Sequence, residues 1–172
     1  MMKELWDTKA IIFDFRKYPE FIIKDLLKYL NPSPKMSAIA IEPDLTYPGR
    51  FRWTQPVYVG KNNSKPYQGG VIILADQDTQ SRSEYFVMAM QTGEGSITIG
   101  RQTSGADGDV LSYTFFDDKR STITGRGIFY PDKTETQRVG IRIDIEIPYT
   151  REDITNGRDA VLEKAIEIAS QL

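Results

Sequence analysis

The stretch that decides the fold is VIILADQDTQSRSEYFVMAMQ, residues 71–91. Its first six residues are mostly apolar and β-branched, which predicts a strand buried on both faces over 71–76. SRSEYFVMAMQ follows a short polar turn and predicts a helix that begins near Ser81. A buried strand that leads into a helix is the repeating unit of α/β domains, so this stretch predicts that class of fold.

Further strands and helices are predicted on both sides of this unit. The predicted strands include AIIFDF (10–15), SAIAIE (37–42) and SITIG (96–100). Apolar residues at helical spacing predict helices over 20–30 and 156–172. The alternation of strands and helices in the first two thirds predicts an α/β fold with a mainly parallel sheet.

Other segments are predicted to have structural roles only. Residues 42–70 are rich in proline and aromatic residues and predict a long surface excursion. For its aromatic part, Tyr47–Tyr58, packing over the sheet is favoured over a part in a substrate groove. Asp14 and Arg16 are predicted to hold the turn after the first strand by a local ion pair or by hydrogen bonds. Tyr113, Phe115 and Phe116 are spaced or clustered as core residues are, and they predict part of the core.

Composition limits the class of protein. The 172 residues are 40% hydrophobic, enough for one domain over 1–172 with its own core. A net charge of −2 without clustered Lys and Arg does not predict a nucleic-acid partner. No apolar run approaches the ~20 residues of a membrane helix, and the first residues do not form a signal peptide. The absence of Cys and His excludes disulfides, thiolate catalysis and the commonest metal ligand.

Ser81 has two interpretations. Ser81 and Glu84 have the S-x-x-E spacing of a capping box, in which the hydroxyl stabilises the helix by ~1 kcal/mol, and the pattern alone favours this role. The same position suits a nucleophile, because ligands of open α/β sheets bind beyond the carboxyl ends of the strands. A helix N-terminus there also offers N–H groups and a positive dipole to an oxyanion.

Four short motifs follow one another in the order found in a known family. Residues 81–84 (SRSE) match a turn of the form S-x-S-E, and residues 100–105 (GRQTSG) match a loop of the form G-E-x-T-x-G. Residues 11–19 end a strand in D-x-R, and residues 127–147 match a closing hairpin. The chain thus resembles the core of C-terminal-processing (tail-specific) and tricorn-type serine peptidases. Its later loop and last helix are most similar to members from Bacteroidetes.

The resemblance implies a fold, an activity and a set of site residues. The fold would be the ββα-superhelix shared with Clp-type and crotonase-like proteins, and Ser81 would attack a peptide carbonyl to form an acyl-enzyme. The oxyanion would be held by the Arg82 amide and by the Glu20 amide, because Pro19 has no N–H to offer. Gln137 would help to orient the base. The partner would be a polypeptide substrate, and neither a metal nor an organic cofactor is implied.

The base that would activate Ser81 is missing from the motif. Members with a Ser–Lys pair have a lysine just after the G-x-T-x-G segment, where this chain has Ala106-Asp107-Gly108. With an ordinary pKa of ~4, Asp107 is predicted to be a poor base and rather a turn residue. Tricorn-type members take a histidine from a segment N-terminal to the core. The resemblance therefore implies that the base and the N-terminal domains lie upstream, and that this chain alone is inactive.

The main alternative is a non-catalytic peptide- or lipid-binding module on the same fold, since the lysine, the histidine and the oxyanion glycine are all missing. An acyl-CoA hydratase-like enzyme of the crotonase group fits less well, because its chemistry needs no serine nucleophile. Members similar to this chain are commonly exported, so the parent protein is expected in the periplasm or cell envelope. An oligomer is compatible with the resemblance.

Overall fold

The computed structural model describes residues 2–19 and 24–172, which form ten strands and five α-helices. The strands are β1 (Ala10–Asp14), β2 (Lys35–Pro43), β3 (Phe51–Trp53), β4 (Val57–Val59), β5 (Gly70–Ala75), β6 (Ser96–Gly100), β7 (Val110–Thr114), β8 (Arg120–Thr124), β9 (Gly127–Phe129) and β10 (Ile145–Glu146). The helices are α1 (Met2–Leu5), α2 (Lys24–Leu30), α3 (Arg82–Met90), α4 (Arg151–Asn156) and α5 (Ala160–Gln171). In this part of the chain, no helix is both long and apolar enough to cross a membrane.

A parallel sheet with the order β1-β5-β6-β10 forms the centre of the molecule. Val71 and Ile73 of β5 belong to a core cluster with residues of α2 and α3. The alternate residues Ile72 and Leu74 pack in a second cluster with Val161 of α5. Burial of each such side chain contributes about 1.5–3 kcal/mol. The prediction of a mainly parallel sheet around a strand buried on both faces is confirmed.

A second, antiparallel sheet has the order β3-β2-β4, and β9 also pairs with β2. The prediction that residues 42–70 are a surface excursion is therefore only partly right, because the segment supplies β3 and β4. Trp53 of β3 packs edge-to-face on Phe129 of β9, with 5.0 Å between ring centroids. The sequence did not predict β3 and β4, because each is only three residues long and the proline-rich composition of the segment is typical of a loop.

The hairpin of β7 and β8 is a separate two-stranded sheet. The prediction that Tyr113, Phe115 and Phe116 belong to the core is wrong, since Phe115 is 55% exposed, Phe116 is 91% exposed and Tyr113 is also exposed. Alternating apolar residues predict an apolar strand face, but they do not indicate what covers that face. Here the rings of Tyr113 and Phe115 pack on each other, with centroids 4.7 Å apart.

The two ends of the chain meet beside β1. Arg16 Nη2 lies 2.7 Å from Asp14 Oδ2, which confirms the predicted ion pair, and its Nη1 lies 2.7 Å from Asp159 Oδ1. The last helix begins later than predicted, because Gly157 adopts a φ of 63° at the end of α4 and Asp159 caps α5. The first four residues of the helix predicted over 20–30 lie outside the described residues.

Candidate active site

Ser81 lies at the N-terminus of α3, beyond the carboxyl end of β5. A short turn positions it there: Thr79 Oγ1 accepts the Asp76 N–H at 3.0 Å and donates to the Phe15 carbonyl oxygen at 3.0 Å. This turn ties the end of β5 to the end of β1. The predicted position of Ser81 is therefore found, at the edge of the sheet where ligands of α/β proteins bind.

The backbone of Ser81 is strained, with φ 51° and ψ −114°. A non-glycine residue held in such a sparsely populated region costs of order 1–3 kcal/mol. A strained turn between a strand and a helix is also the device that exposes the nucleophilic serine of α/β-hydrolases. Helix capping does not require this strained conformation, so capping alone does not explain it.

The other N-caps of the chain provide an internal comparison. Thr150 has φ −95° and accepts the Asp153 N–H at 3.1 Å, and Asp159 has φ −103° and accepts the Leu162 N–H at 3.0 Å. Ser81 and Glu84 keep the capping-box arrangement, yet the Ser81 side chain makes no cap hydrogen bond of regular geometry. Only the Glu84 half is well formed, with the Ser81 N–H donating to Oε2 at 3.1 Å. Ser81 is therefore an irregular cap.

Glu84 has a larger role than the predicted cap. Its carboxylate is fully buried and accepts hydrogen bonds from two segments. The donors are Ser81 N (3.1 Å), Thr103 Oγ1 (2.5 Å), Ser104 Oγ (3.3 Å), Gly105 N (2.9 Å) and Ala106 N (2.9 Å). Glu84 therefore fixes the loop of residues 103–106 against the turn that carries Ser81.

Of the two predicted oxyanion amides, the structure describes that of Arg82 but not that of Glu20. Arg82 is the first residue of α3, where the N–H groups have no acceptor in a preceding turn and the helix dipole is positive. Its guanidinium lies over the Tyr18 ring, 5.4 Å from the centroid. Glu20, the second predicted contributor, lies outside the described residues.

A groove of about 910 Å³ lies beside Ser81. This volume is in the range of sites that bind small molecules. Its apolar lining includes Ile39, Trp53, Val57, Phe86, Val110 and Ile128. Of the aromatic residues in the segment 47–58, all of which are exposed, Trp53 lines the groove, whereas Tyr47, Phe51 and Tyr58 do not. Four residues of that segment thus line the groove, and Trp53 is the aromatic one among them, although surface packing was favoured for the aromatic residues; the four are Trp53, Thr54, Gln55 and Val57.

Asp107 also lines the groove, although it is only 6% exposed. Its Oδ1 accepts the Gly108 N–H at 2.8 Å, as a turn residue does, but its buried Oδ2 has no hydrogen-bond partner among the described residues. Burial raises the pKa of Asp107 to about 7; the Gly108 N–H opposes this shift, and the charges of Glu84 and Asp109 add to it. The ordinary pKa expected from the sequence is therefore wrong, because the sequence does not show burial.

The raised pKa of Asp107 should make the stability of the chain depend on pH. Because the pKa of Asp107 is raised on folding, the free energy of unfolding falls as pH rises from about 4 to about 7. Asn can accept the Gly108 N–H without carrying a charge, so Asp107→Asn should not lose stability in this way. We therefore expect the free energy of unfolding of Asp107→Asn, minus that of the wild type, to be about 2–3 kcal/mol higher at pH 8 than at pH 5. Urea unfolding at the two pH values measures this.

Asp118→Asn is the control for that measurement, because Asp118 is exposed in the hairpin of β7 and β8. Substitutions at such surface positions change stability by only about 0.5 kcal/mol or less. An Asp107→Asn difference that stays constant between the two pH values would show that Asp107 ionises normally.

Gln137 lies beside the loop that carries Asp107. Its Nε2 donates to the Arg126 carbonyl oxygen at 3.1 Å, and the same nitrogen packs against Gly108. One end of its amide is thus occupied by the backbone. Its assignment as the residue that orients the base stays a prediction.

The sequence matches the model of Peptidase family S41 over residues 27–147. A protein from Parabacteroides merdae, described as a candidate peptidase, is 21% identical with a TM-score of 0.80; the match covers 94% of this chain and 52% of that one. Mature CPAF with lactacystin is 13% identical with a TM-score of 0.76, over 98% and 45% of the two chains. The photosystem II D1 C-terminal processing protease is 16% identical with a TM-score of 0.59, over 89% and 40%.

At these identities the three structures show a shared fold. No curated protein matches the sequence. The chain spans about half the length of these solved relatives, or somewhat less. The family match nevertheless covers more than two thirds of the residues, including the Ser81 turn and the loop of 103–106. This chain belongs to peptidase family S41.

Proposed function

We propose that this chain is the catalytic core of a serine endopeptidase with Ser81 as its nucleophile. Membership of the family and the shared fold support a peptidase function. The observation that carries the assignment is the strained backbone of Ser81 at a helix N-terminus beside a groove. A residue that only capped α3 would not need this conformation.

The proposed reaction proceeds through an acyl-enzyme. Oγ of Ser81 loses its proton to a base and attacks the peptide carbonyl carbon, and the carbonyl oxygen becomes an oxyanion. The Arg82 amide, with the Glu20 amide as second donor, would stabilise that charge. The C–N bond breaks as the leaving nitrogen takes the proton from the base. Water then hydrolyses the acyl-enzyme and restores the Ser81 hydroxyl.

The base is proposed to come from a segment N-terminal to this chain. The sequence has no histidine, and the groove has no lysine among its described lining residues. We therefore propose that the parent protein has N-terminal domains that complete the site. The isolated chain should then be inactive. We also propose that the parent acts on polypeptides in the periplasm or cell envelope, with an oligomer as a compatible state.

Peptide cleavage by the intact gene product and by this chain tests the proposal. A library of unstructured peptides, analysed by mass spectrometry, should be cleaved by the intact protein and left uncut by the 172-residue chain. A non-catalytic binding module would instead bind peptides or lipid vesicles saturably and cleave nothing in either form. Cleavage that persists in the intact protein after Ser81→Ala would overturn the proposal.

A further inference from the structure

Asp107 differs from the other carboxylates of the groove. Glu42 pairs with Arg52 (3.2 Å) and with Arg126 (3.5 Å), and Asp109 pairs with Arg126. Among the residues that the structure describes, Asp107 is the one groove carboxylate without a cationic partner, and its Oδ2 lacks any hydrogen bond. A buried acceptor of this kind costs free energy until a donor reaches it.

The turn does not explain the charge of Asp107. The one hydrogen bond that its side chain makes is accepted by Oδ1 from the Gly108 N–H, and an Asn side chain can accept the same bond. The second oxygen therefore lowers stability at neutral pH and contributes nothing to the turn. Destabilising ionisable groups are characteristic of functional sites.

Asp107 is also fixed close to the Ser81 turn. The amides of Ser81 and Ala106 both donate to Glu84 Oε2, at 3.1 and 2.9 Å. Two donors that share one acceptor at such distances lie within about 6 Å of each other. Asp107 directly follows Ala106, and it lines the same groove as Ser81. Glu84 thereby holds the backbone of Ser81 close to the residue that precedes Asp107.

We propose that Asp107 positions the base that serves Ser81, by accepting a hydrogen bond on Oδ2 from an N–H of that base. The inference rests on the proposed peptidase function and adds a positioning residue to it. When the nitrogen of the base takes the proton from Oγ of Ser81, the base becomes a cation that the Asp107 carboxylate stabilises. The same proton then passes to the leaving amine, so Asp107 orients the base and carries no proton in the reaction.

The charges around Asp107 agree with this role. Glu84 and Asp109 repel a negative charge on Asp107, and Tyr85 is close enough for its own phenol pKa to be raised, by burial first and by Asp107 second. Arg126 is occupied by Glu42 and Asp109, and Arg82 lies over Tyr18. A cation beside Oδ2 would favour the charged form and lower the pKa of Asp107 from about 7.

Free imidazole can serve as the probe, because this chain contains no histidine. A fluorophosphonate that labels Ser81 should react with the chain at a rate that rises saturably with imidazole, by tenfold or more, since general bases contribute about 10²–10⁴-fold. Asp107→Asn should abolish the acceleration. The exposed hairpin residue Asp118 provides the matched control, and Asp118→Asn should retain it. Acceleration that persists in Asp107→Asn, or that is absent from the wild type, would overturn the inference.

A second measurement needs no variant. With ¹³C-labelled aspartate carboxyl groups, the NMR titration of Asp107 should have a midpoint near pH 7 in the chain alone, and imidazole should move that midpoint to lower pH. A midpoint that imidazole leaves in place contradicts the proposal.

Labelling of Ser81 in the intact gene product distinguishes a failure of the Asp107 proposal from a failure of the peptidase proposal. If Ser81 labels there but Asp107→Asn has the same pH–rate profile, the role of Asp107 alone is wrong; if it never labels, the peptidase proposal is wrong.

Discussion

Replacing Ser81 with alanine in the intact protein is expected to lower peptide hydrolysis by roughly 10⁴-fold or more. Removal of the attacking oxygen leaves only the contributions of substrate binding and the oxyanion amides. Stability should change by less than ~1 kcal/mol, because the Ser81 side chain makes no cap hydrogen bond and is not fully buried. Hydrolysis rates and urea unfolding of the same samples measure both quantities.

Two further substitutions at this position separate chemistry from capping. Ser81→Asp should keep the fold within ~1 kcal/mol, since Asp caps helices about as well as Ser, and it should be inactive. Ser81→Gly should be inactive but about 1 kcal/mol more stable than Ser81→Ala, because glycine tolerates the φ of 51°. Activity retained in any of the three variants would exclude Ser81 as the nucleophile.

Replacing Glu84 with alanine is expected to destabilise the chain by about 3–5 kcal/mol. Four of the five donors would lose their acceptor, since Ser104 Oγ also donates to the Thr79 carbonyl oxygen at 3.0 Å. The bonds from Thr103 Oγ1 and from the Gly105 amide are buried, so these two donors would be left unpaired away from water. Glu84→Gln should also be destabilising, because an NH₂ group would then face N–H donors. Urea unfolding measures the effect.

Glu94→Gln is the matched control for Glu84, since Glu94 is exposed in the turn after α3 and its substitution should change stability by less than ~0.5 kcal/mol. A Glu84→Ala effect below ~1 kcal/mol would show that the loop of 103–106 does not depend on this carboxylate. If the loop does depend on it, the variant should also lose activity, because Asp107 and the Ser81 turn would lose their fixed spacing.

Local patterns explain which parts of the fold could be predicted. VIILAD and SRSEYFVMAMQ have periodicities of their own, so β5 and α3 were predicted close to their observed bounds. The pattern of Tyr113 to Phe116 is equally apolar but belongs to a hairpin outside both larger sheets. Whether an apolar face is covered depends on distant residues, and a local pattern does not contain that information.

In the candidate site, too, some features can be predicted from local sequence patterns and others cannot. The position of Ser81 follows from a strand and a helix that are both visible in the sequence. Its positive φ, the five donors to Glu84 and the burial of Asp107 depend on contacts between α3 and the loop of 103–108. Asp107 is the clearest case, because an aspartate between alanine and glycine is typical of a turn until its second oxygen is known to be buried.

The most direct test of the account is to map the residue that a fluorophosphonate modifies in the intact gene product. Tryptic peptides analysed by tandem mass spectrometry should contain a single stoichiometric adduct, on Ser81, and Ser81→Ala should remove it. The reaction should also be abolished by unfolding in urea, because an isolated serine is a weak nucleophile. An adduct on another residue, or no adduct in a folded protein that cleaves peptides, would contradict the assignment of Ser81 as the nucleophile.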